Sequence, residues 1–495
     1  MKGKWVFLLP AVILCLEAAY AGESDSKVTP SASVYYQMGQ LEKTFDPSQT
    51  WPYKSLDQRC DLRLAFTAEV QKHLRIIAGI ELAMVTQVQP PRGGGQRGQT
   101  FSSSYAFPRE GQGIYTFGDD QENPPVQIAL GYFPFKYNPQ AANMGEYLFR
   151  TGTYPPFIIN DFDNCQARLL GLRVSSNLFG SLRLDGLFTS ETYFNPVGDY
   201  SLSLLAGYKP NKIIDVGAGF TLSRLLPLDP KQTTPRNSGN IIWDKDGMNP
   251  VLENGDTLFY TFKGAKLMAR CSFDPKQLFP SPTMPALQLS PEDGKIYAEY
   301  AILGLKNQGT YFHDLKRRMP YMIGVNVPTY PAITYALLPG PLMWGRYHKL
   351  DWETVLIGGA GLAAGIGSTF LELTKGDYFK KKLRLDVLSI EVEYFDFNYD
   401  QFAFPPSTTS PKDNMGIDNL DIQNRLHWSL IAQKTVVNGL SVKMLVGKDH
   451  YRNTGSTTPW AGVDNPLGTG SNVGGGEFLV ARGDWHYSIR VMYSF

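Results

Sequence analysis

The final segment of the chain, residues 484–495, alternates between apolar and polar side chains. One face carries Trp485, Tyr487, Ile489, Val491, Tyr493 and Phe495, and the other face is mostly polar. Successive side chains of a β-strand point to opposite faces. The pattern therefore predicts a strand with one face against an apolar medium and the other face in water.

The N-terminal segment predicts export from the cytoplasm. Lys2 and Lys4 precede an apolar run over 5–16, and the small-residue site 19–21 precedes Gly22. This order is typical of a secretory signal peptide over 1–21, which leaves 22–495 as the mature chain. A retained membrane anchor is the alternative, but the run is shorter than the ~20 apolar residues that a spanning helix needs.

Composition separates a barrel from a helical membrane protein. Hydrophobic residues make up 43% of the chain and the mean hydropathy is -0.22, whereas helix bundles in lipid need long, nearly uncharged stretches. Strands of a membrane barrel place an apolar residue only at every second position. An aromatic content of 13% fits interfacial girdles, although a soluble all-β protein could share it. The sequence predicts an all-β fold, a transmembrane antiparallel β-barrel.

Charge and cysteine usage exclude several classes of function. Removing 1–21 takes two lysines and one glutamate from 47 basic and 46 acidic residues, so the mature chain is neutral. No polybasic surface is indicated, and we expect no nucleic-acid partner. Cys60, Cys165 and Cys271 are odd in number and widely spaced, which predicts no disulfide framework. No cofactor is predicted.

Alternation recurs along the whole chain and predicts a single domain of about 16 strands, with a range of about 14 to 18. Bacterial outer-membrane barrels have an even strand count, short periplasmic turns and long outer loops. An even count requires a strand in the segment 145–154. With that strand included, the predicted long extracellular loops are 43–59, 89–124, 226–256, 398–419 and 451–483.

The segment 329–382 does not fit a simple barrel, because a long insertion stands where a tight turn is expected. It contains a Gly-rich apolar run over 355–367 with little alternation. Three interpretations compete: a small-residue helix inside or beneath the lumen, an additional hairpin, or a flexible periplasmic segment. A plug is favoured because exposed apolar surface of that length needs a partner.

Motifs for chemistry are weak. Asp244, Asp246 and Asn249 surround a turn glycine and form a weak calcium-loop candidate, but an Asx-rich turn explains them better, and no metal is predicted. The six histidines show no metal-ligand spacing, and no nucleophile motif is present. The sequence does not predict an enzyme.

The polar faces of the strands predict a charged lumen. Both signs occur equally among the candidates, so neither anion nor cation selectivity is predicted. For each single residue, a salt bridge between strands explains the charge as well as a role in permeation. The lumen-lining candidates are Arg63, Glu69, Arg75, Glu81, Arg173, Arg183, Asp185, Asp215, Glu299, Glu391, Glu393, Arg425, His427, Lys443 and Arg490.

The signal peptide, the alternating strands and the aromatic terminal strand together resemble the porin-like outer-membrane barrels of Gram-negative bacteria. The resemblance implies an outer-membrane location, contact with outer-membrane lipid, and recognition of the last strand by the barrel assembly machinery. The implied assembly signal is Tyr487, Ile489, Val491, Tyr493 and Phe495.

The leading hypothesis is a channel that admits small hydrophilic solutes by passive diffusion through a polar lumen. The alternative is a barrel that only anchors aromatic outer loops, which bind a polymer or another cell. The sequence leaves open whether copies associate into a homo-oligomer. The loop residues of the alternative hypothesis are Phe101, Tyr105, Phe107, Tyr115, Phe402, Phe404 and Trp460.

Overall fold

The computed structural model describes most of the predicted strands and the segments that join them closely. The predicted signal peptide and the calcium-loop candidate lie outside the described residues. These residues are 27–44, 53–89, 99–118, 120, 124–149, 158–159, 167–190, 200–226, 252–253, 255–257, 264–278, 289–305, 315–329, 384–394, 426–448 and 485–495.

Sixteen strands form the barrel wall. Two short additions, the strand Ile158–Ile159 and the pair Leu252–Glu253 and Asp256–Thr257, lie outside this count. The barrel strands are β1 (Lys27–Thr44), β2 (Tyr53–Gln71), β3 (Leu74–Gln89), β4 (Gln99–Phe117), β5 (Val126–Phe135), β6 (Ala167–Leu178), β7 (Leu182–Ser190), β8 (Tyr200–Tyr208), β9 (Ile214–Leu226), β10 (Gly264–Phe273), β11 (Ile296–Ile302), β12 (Tyr321–Asn326), β13 (Val387–Tyr394), β14 (Leu426–Val437), β15 (Leu440–Lys448) and β16 (Trp485–Ser494).

The sheet closes on itself through its first and last strands. Each strand pairs with the next in antiparallel fashion, and β16 pairs with β1 from Ser33 opposite Ser494 to Leu41 opposite His486. Phe495 and Ala32 exchange two further backbone hydrogen bonds at 2.9 and 3.0 Å. Closure leaves no open sheet edge, as a lipid environment requires. The prediction of a barrel of about 16 strands is confirmed.

The predicted number of strands is right, although one strand was missed and one segment was wrongly predicted to be a strand. Strand β4 occupies 99–117, inside the predicted loop 89–124, and Gly145–Phe149 is not a strand. β4 was missed because serines, prolines and glycines interrupt its alternation. Strands β1 and β2 also extend to Thr44 and Tyr53, which shortens the predicted loop 43–59. Residues 227–251, 398–419 and 451–483 lie outside the described part of the chain.

Tight turns collect at one end of the barrel, which we call the short-turn end. Residues 72–73, 179–181 and 438–439 join consecutive strands there. Gly439 has φ +81°, and a Cβ at this position would lie 2.6 Å from the carbonyl oxygen of Ser494. A glycine is therefore required at this turn. Which side of the membrane this end faces stays a prediction.

The outer wall is apolar. On β16, Ile489 and Val491 are each 39% exposed, whereas Ser488 and Arg490 are 0% and 1% exposed and face the interior. This confirms the predicted polarity of the two faces. No helix in the described ranges is long and apolar enough to span a membrane.

Aromatic pairs mark both ends of the outer wall. Tyr115 and Phe117 lie 4.9 Å apart, centroid to centroid, at the short-turn end, and Tyr493 and Phe495 lie 5.8 Å apart there. Stacked pairs occupy the opposite end of the wall. Two such girdles are typical of a protein that spans a bilayer. The stacked pairs are Phe188 with Tyr200 and Tyr321 with Tyr394.

The predicted insertion 329–382 starts and ends at one point of the short-turn end. Arg384 donates to Asp293 Oδ2 at 2.5 Å and to Thr329 Oγ1 at 2.9 Å, and Thr329 also donates to Asp293 Oδ1 at 3.0 Å. These contacts hold the two flanks of the insertion together. Residues 330–383, with the predicted plug, lie outside the described residues. The described residues that fill the lumen belong to another segment, 136–149.

The apolar outer wall predicts that the free-energy cost of an added charge depends on its depth in the membrane. Leu204, at the middle of β8, is 50% exposed on the outer face, and Phe179, at a turn tip, is 93% exposed. Leu204→Arg is expected to lower the unfolding free energy in lipid vesicles by about 2–4 kcal/mol, because the charge meets hydrocarbon. Phe179→Arg, the control, should cost about 0–1 kcal/mol. Equal costs in urea titrations would contradict the assigned lipid face.

Candidate functional site

A loop that we call the inner loop, Lys136–Phe149, follows β5 and folds into the lumen. Met144, Tyr147, Leu148 and Phe149 are 0% exposed. They pack on inward side chains of several strands and form an apolar core inside the barrel. The wall residues of this core are Phe133, Phe135, Ala167, Leu169, Leu187, Leu205, Met268, Tyr297, Ala301, Leu303 and Met322.

Backbone amides of the inner loop bind Glu391, on β13. Ala142 N donates to Oε1 at 2.7 Å, and Asn143 N and Met144 N donate to Oε2 at 2.9 and 2.8 Å. Tyr297 adds a hydroxyl donor at 2.9 Å. Four donors satisfy a carboxylate that is 0% exposed, which offsets the cost of removing it from water.

Glu299, on β11, is bound in the same way. Glu146 N and Tyr147 N donate to its two oxygens at 2.8 and 2.9 Å. Asn138 Nδ2 donates at 3.0 Å, and the Tyr137 hydroxyl donates to Oε1. Burial, and then the neighbouring carboxyl groups of Glu299 and Glu146, raise the pKa of Tyr137 well above its ordinary value, so the phenol keeps its proton.

Glu393 is the third wall glutamate under the inner loop. It accepts hydrogen bonds from Gly145 N at 3.3 Å and from the Tyr147 hydroxyl at 3.0 Å. Glu299, Glu391 and Glu393, which we call the acidic wall, are thus bound by a run of consecutive amides, 142–147. Consecutive amides that converge on anions make a concave, positively polarised surface.

A left-handed backbone lets these amides converge. Gly145 has φ +82° and Glu146 has φ +57°. A Cβ at Gly145 would lie 2.7 Å from Glu299 Oε2 and 3.1 Å from a Met322 side-chain carbon. Glycine therefore meets a conformational and a steric requirement at this position.

Glu146 is a fourth carboxyl group, carried by the inner loop itself. Its oxygens accept Asn138 N at 2.6 Å and Tyr137 N at 3.4 Å. Burial, and then the charge of Glu299, raise the pKa of Glu146 to about 8, against the lowering effect of Lys136. The inner loop is therefore seated with Glu146 protonated at neutral pH.

A second group of charges, which we call the basic cluster, surrounds Glu81 on β3. It comprises Arg59, Arg63, Arg109, Arg168 and Arg490 with Asp61, Glu81 and Tyr35. Four of its arginines approach the Glu81 carboxylate. The nitrogen to oxygen distances are 2.9 Å for Arg59, 3.2 Å for Arg168, 3.3 Å for Arg63 and 3.5 Å for Arg109.

Tyr35 holds the basic cluster together from β1. The guanidinium carbons of Arg63 and Arg490 each lie 4.3 Å from the centroid of its ring. Arg490 also donates to Gln37 Oε1 at 2.6 and 3.2 Å. Stacked guanidinium groups lower their mutual repulsion by contact with the π face.

The predicted lumen residues fall into three groups. Arg63, Glu81 and Arg490 lie in the basic cluster. Glu299, Glu391 and Glu393 form the acidic wall. The remaining candidates form a third, mixed group. Asp185 binds Arg173 and Arg183 at 2.9 Å, and Asp215 binds Arg270 at 2.8 Å.

Lys443 is buried, and Glu69 and Arg75 are exposed opposite each other near the end of their strands. The side chain of His427, on β14, is outside the described set, and Arg425 lies outside the described residues.

Tyr35 and four charged members of the basic cluster were missed, the charged ones being Arg59, Asp61, Arg109 and Arg168. Arg59 and Asp61 share the alternation of Arg63, so extending β2 backwards would have found them. Arg109 lies at a register shift of the missed strand β4. Arg168 lies where three successive residues are buried, so alternation could not identify it.

The structure also locates residues of the predicted assembly signal and of the predicted aromatic loops. On the terminal strand, Ile489, Val491, Tyr493 and Phe495 face outward; recognition by the assembly machinery stays a prediction. Phe101, Tyr105, Phe107 and Tyr115 lie on β4 and not in an outer loop, and Phe402, Phe404 and Trp460 lie outside the described residues. Within the described ranges, no group of three or more His, Cys, Asp or Glu side chains could hold a metal ion.

Comparison with solved structures finds similar chains at low sequence identity. One similar structure is an engineered variant of the Rh. blastica porin, with 8% identity over 95% of this chain and 100% of that chain and a TM-score of 0.38. Another is Pseudomonas putida OprB at low pH, with 8% identity over 100% of this chain and 98% of that chain and a TM-score of 0.41. No protein-family model matches the sequence, and no curated protein matches it.

The requirement for glycine at 145 can be tested by one methyl group. Gly145→Ala is expected to displace the inner loop from Glu299 and to raise the single-channel conductance in a planar bilayer, because the added Cβ would meet the carboxylate. Gly111→Ala is the matched control, since a Cβ there meets nothing within 4 Å. Equal conductance in both variants and the wild type would contradict the seated loop.

The raised pKa of Glu146 predicts a pH-dependent loop. The protonated Glu146 side chain contributes to the stability of the seated loop. This contribution is fully present below about pH 4.5, the pKa of Glu146 in the unfolded chain, and is lost as pH rises through about 8. Conductance should therefore be higher at pH 9 than at pH 6. Glu146→Gln should remove this difference, and Glu292→Gln, outside the lumen, should keep it. A pH response that survives in Glu146→Gln would contradict the assignment.

Proposed function

We propose that this protein is an outer-membrane channel through which small hydrophilic solutes diffuse passively. The observation that carries the proposal is the segregated set of charged side chains that faces the interior of a closed barrel with an apolar outer wall. Charge on both sides of a narrow passage orders water and stabilises polar solutes there. A wall that served only as an anchor would need no such set of buried, hydrogen-bonded ions.

The inner loop supports a size limit on the solute. A barrel of about 16 strands encloses an aqueous passage unless loops fill it. The apolar core under the inner loop fills one side, from β5 to β12. Solutes then pass through the part of the lumen that the inner loop leaves open. No catalytic step is part of this function.

Location and partners follow from the same surface. The apolar wall contacts outer-membrane lipid, and the outward residues of β16, including Ile489, Val491 and Phe495, are proposed as the signal for the barrel assembly machinery. Assembly as a homo-oligomer is compatible with this surface and is not required for the passage, which lies within one chain.

Planar-bilayer recording tests the function directly. The refolded full chain is expected to give discrete conductance steps in KCl at about 1 M, because salt at that concentration screens surface charge. Vesicles with the same protein should release a small sugar but retain a large dextran. The control is the same preparation unfolded in urea and diluted without lipid. Absence of both steps and sugar release in a correctly refolded barrel would refute the proposed function.

A further inference from the structure

A polar cavity of about 230 Å³, which we call the mouth cavity, lies at the short-turn end of the barrel. It is lined by the turn 209–213 between β8 and β9, by residues that follow β10 and precede β11, and by Gln140 of the inner loop. Backbone hydrogen bonds fix this part of the barrel, because Asp274 N donates to Ile213 O and Lys209 N donates to Ser181 O, both at 2.8 Å. The cavity therefore has a preformed wall.

Most charged groups around the mouth cavity already form ion pairs. Each carboxylate that lines the cavity has a cation of its own, and so does the glutamate just before β11. The negative charges near the cavity are thus compensated within the wall. The pairs are Asp215 with Arg270, Asp274 with Lys276 and Glu292 with Lys295, each at 2.8 Å.

Two lysines that line the mouth cavity have no such partner. Lys209 and Lys212 are exposed on the turn between β8 and β9. Neither side chain forms an ion pair in the part of the chain that the structure describes. A solute with an anionic group would therefore meet two ammonium groups whose charge is not compensated, at the edge of a concave polar wall.

The wall of the mouth cavity also keeps unused hydrogen-bonding capacity. Asp274 is 7% exposed; its Oδ2 accepts hydrogen bonds from Lys276 at 2.8 Å and Gln277 at 3.4 Å, whereas its Oδ1 has no partner. The side chains of Ser272 and Gln140 form no hydrogen bond among the described residues. A carboxylate oxygen without a donor is costly when buried, so a solute that brings a donor to this wall recovers free energy.

We propose that the mouth cavity binds small carboxylates that carry a hydroxyl or ammonium donor beside the carboxylate, the chemistry shared by α-hydroxy and α-amino acids. The solute carboxylate binds Lys209 and Lys212, and its neighbouring donor binds Asp274. The cavity is smaller than the roughly 300–1,000 Å³ of pockets for drug-sized ligands, which fits a solute of this size. This inference rests on the proposed channel function and names a solute class that the channel recognises at its mouth.

Calorimetric titration of the refolded full chain in detergent tests the site with three acids of equal carbon number: alanine, lactate and propionate. The measurement is made at neutral pH and low ionic strength, because salt screens exposed charges. Alanine or lactate is expected to bind saturably with a Kd of about 1 mM, and propionate, which lacks the donor, roughly tenfold more weakly. The tighter of the first two identifies the donor that Asp274 accepts. Equal Kd values for all three acids, or no saturable binding of any, overturn the proposal.

The two lysines can be removed together. Lys209→Gln combined with Lys212→Gln is expected to weaken binding of the preferred acid by about tenfold or more, because both cations that meet its carboxylate are lost. Lys27→Gln combined with Lys72→Gln is the matched control, since these lysines are exposed beside the turn between β2 and β3 at the same end of the barrel. The control should keep the wild-type Kd. An equal effect of the two double variants overturns the site.

Asp274→Ala tests the acceptor. It is expected to bring the Kd of the preferred acid close to that of propionate, because the acceptor for the donor group is gone. Lys276 keeps its hydrogen bond to Asp293 O at 3.0 Å in this variant, which holds the segment after β10. A preference for the donor-bearing acid that survives in Asp274→Ala overturns the role of Asp274.

Binding and conduction are measured on the same preparation, so that the two proposals can fail separately. Discrete conductance steps without saturable binding of any acid overturn the mouth site while the channel stands. Saturable binding that depends on Lys209 and Lys212, without conductance in any salt, overturns the channel function while the site stands.

Discussion

Closure of the backbone hydrogen-bond network is the constraint on which the rest of this structure depends. In hydrocarbon each unpaired amide costs several kcal/mol, so a sheet that spans a bilayer must return to its first strand. Here β16 meets β1 over Ser33–Leu41, and Phe495 completes the seam with Ala32. Closure fixes which side chains face inward. The charged side chains among them must then find hydrogen-bond or ion-pair partners within the protein wherever water does not reach them.

The inner loop solves part of that problem, because its backbone amides donate hydrogen bonds to buried carboxylates of the wall. Buried ions stabilise a fold only when their lone pairs and charges are met. The amides of 142–147 donate to the glutamates of β11 and β13, so each set satisfies the other. Apolar side chains of the same loop remove water from these contacts, which strengthens them.

The sequence predicted the wall well and the lumen poorly, for one physical reason. Alternation reports two environments, lipid and water, and it identified β16 and the β2–β3 hairpin correctly. Tyr147 and Phe149 belong to a third environment, an apolar core inside the barrel, so an apolar run there was interpreted as a strand. Strand β4 gave the opposite error, because glycines and serines that pack in a sheet resemble a loop in a single sequence.

The charges illustrate why the sequence pattern alone could not predict how each inward carboxylate is satisfied. Glu81 and Glu391 are both inward glutamates at the middle of a strand, and the pattern of residues around them treats them alike. One is met by arginine side chains that carry full charge, and the other by amide dipoles that carry none. In the first arrangement several guanidinium groups surround one carboxylate, whereas in the second a row of backbone amides solvates it. The difference between the environments of these two glutamates is therefore a product of topology, since it arises only when the segment after β5 crosses the lumen to β11 and β13.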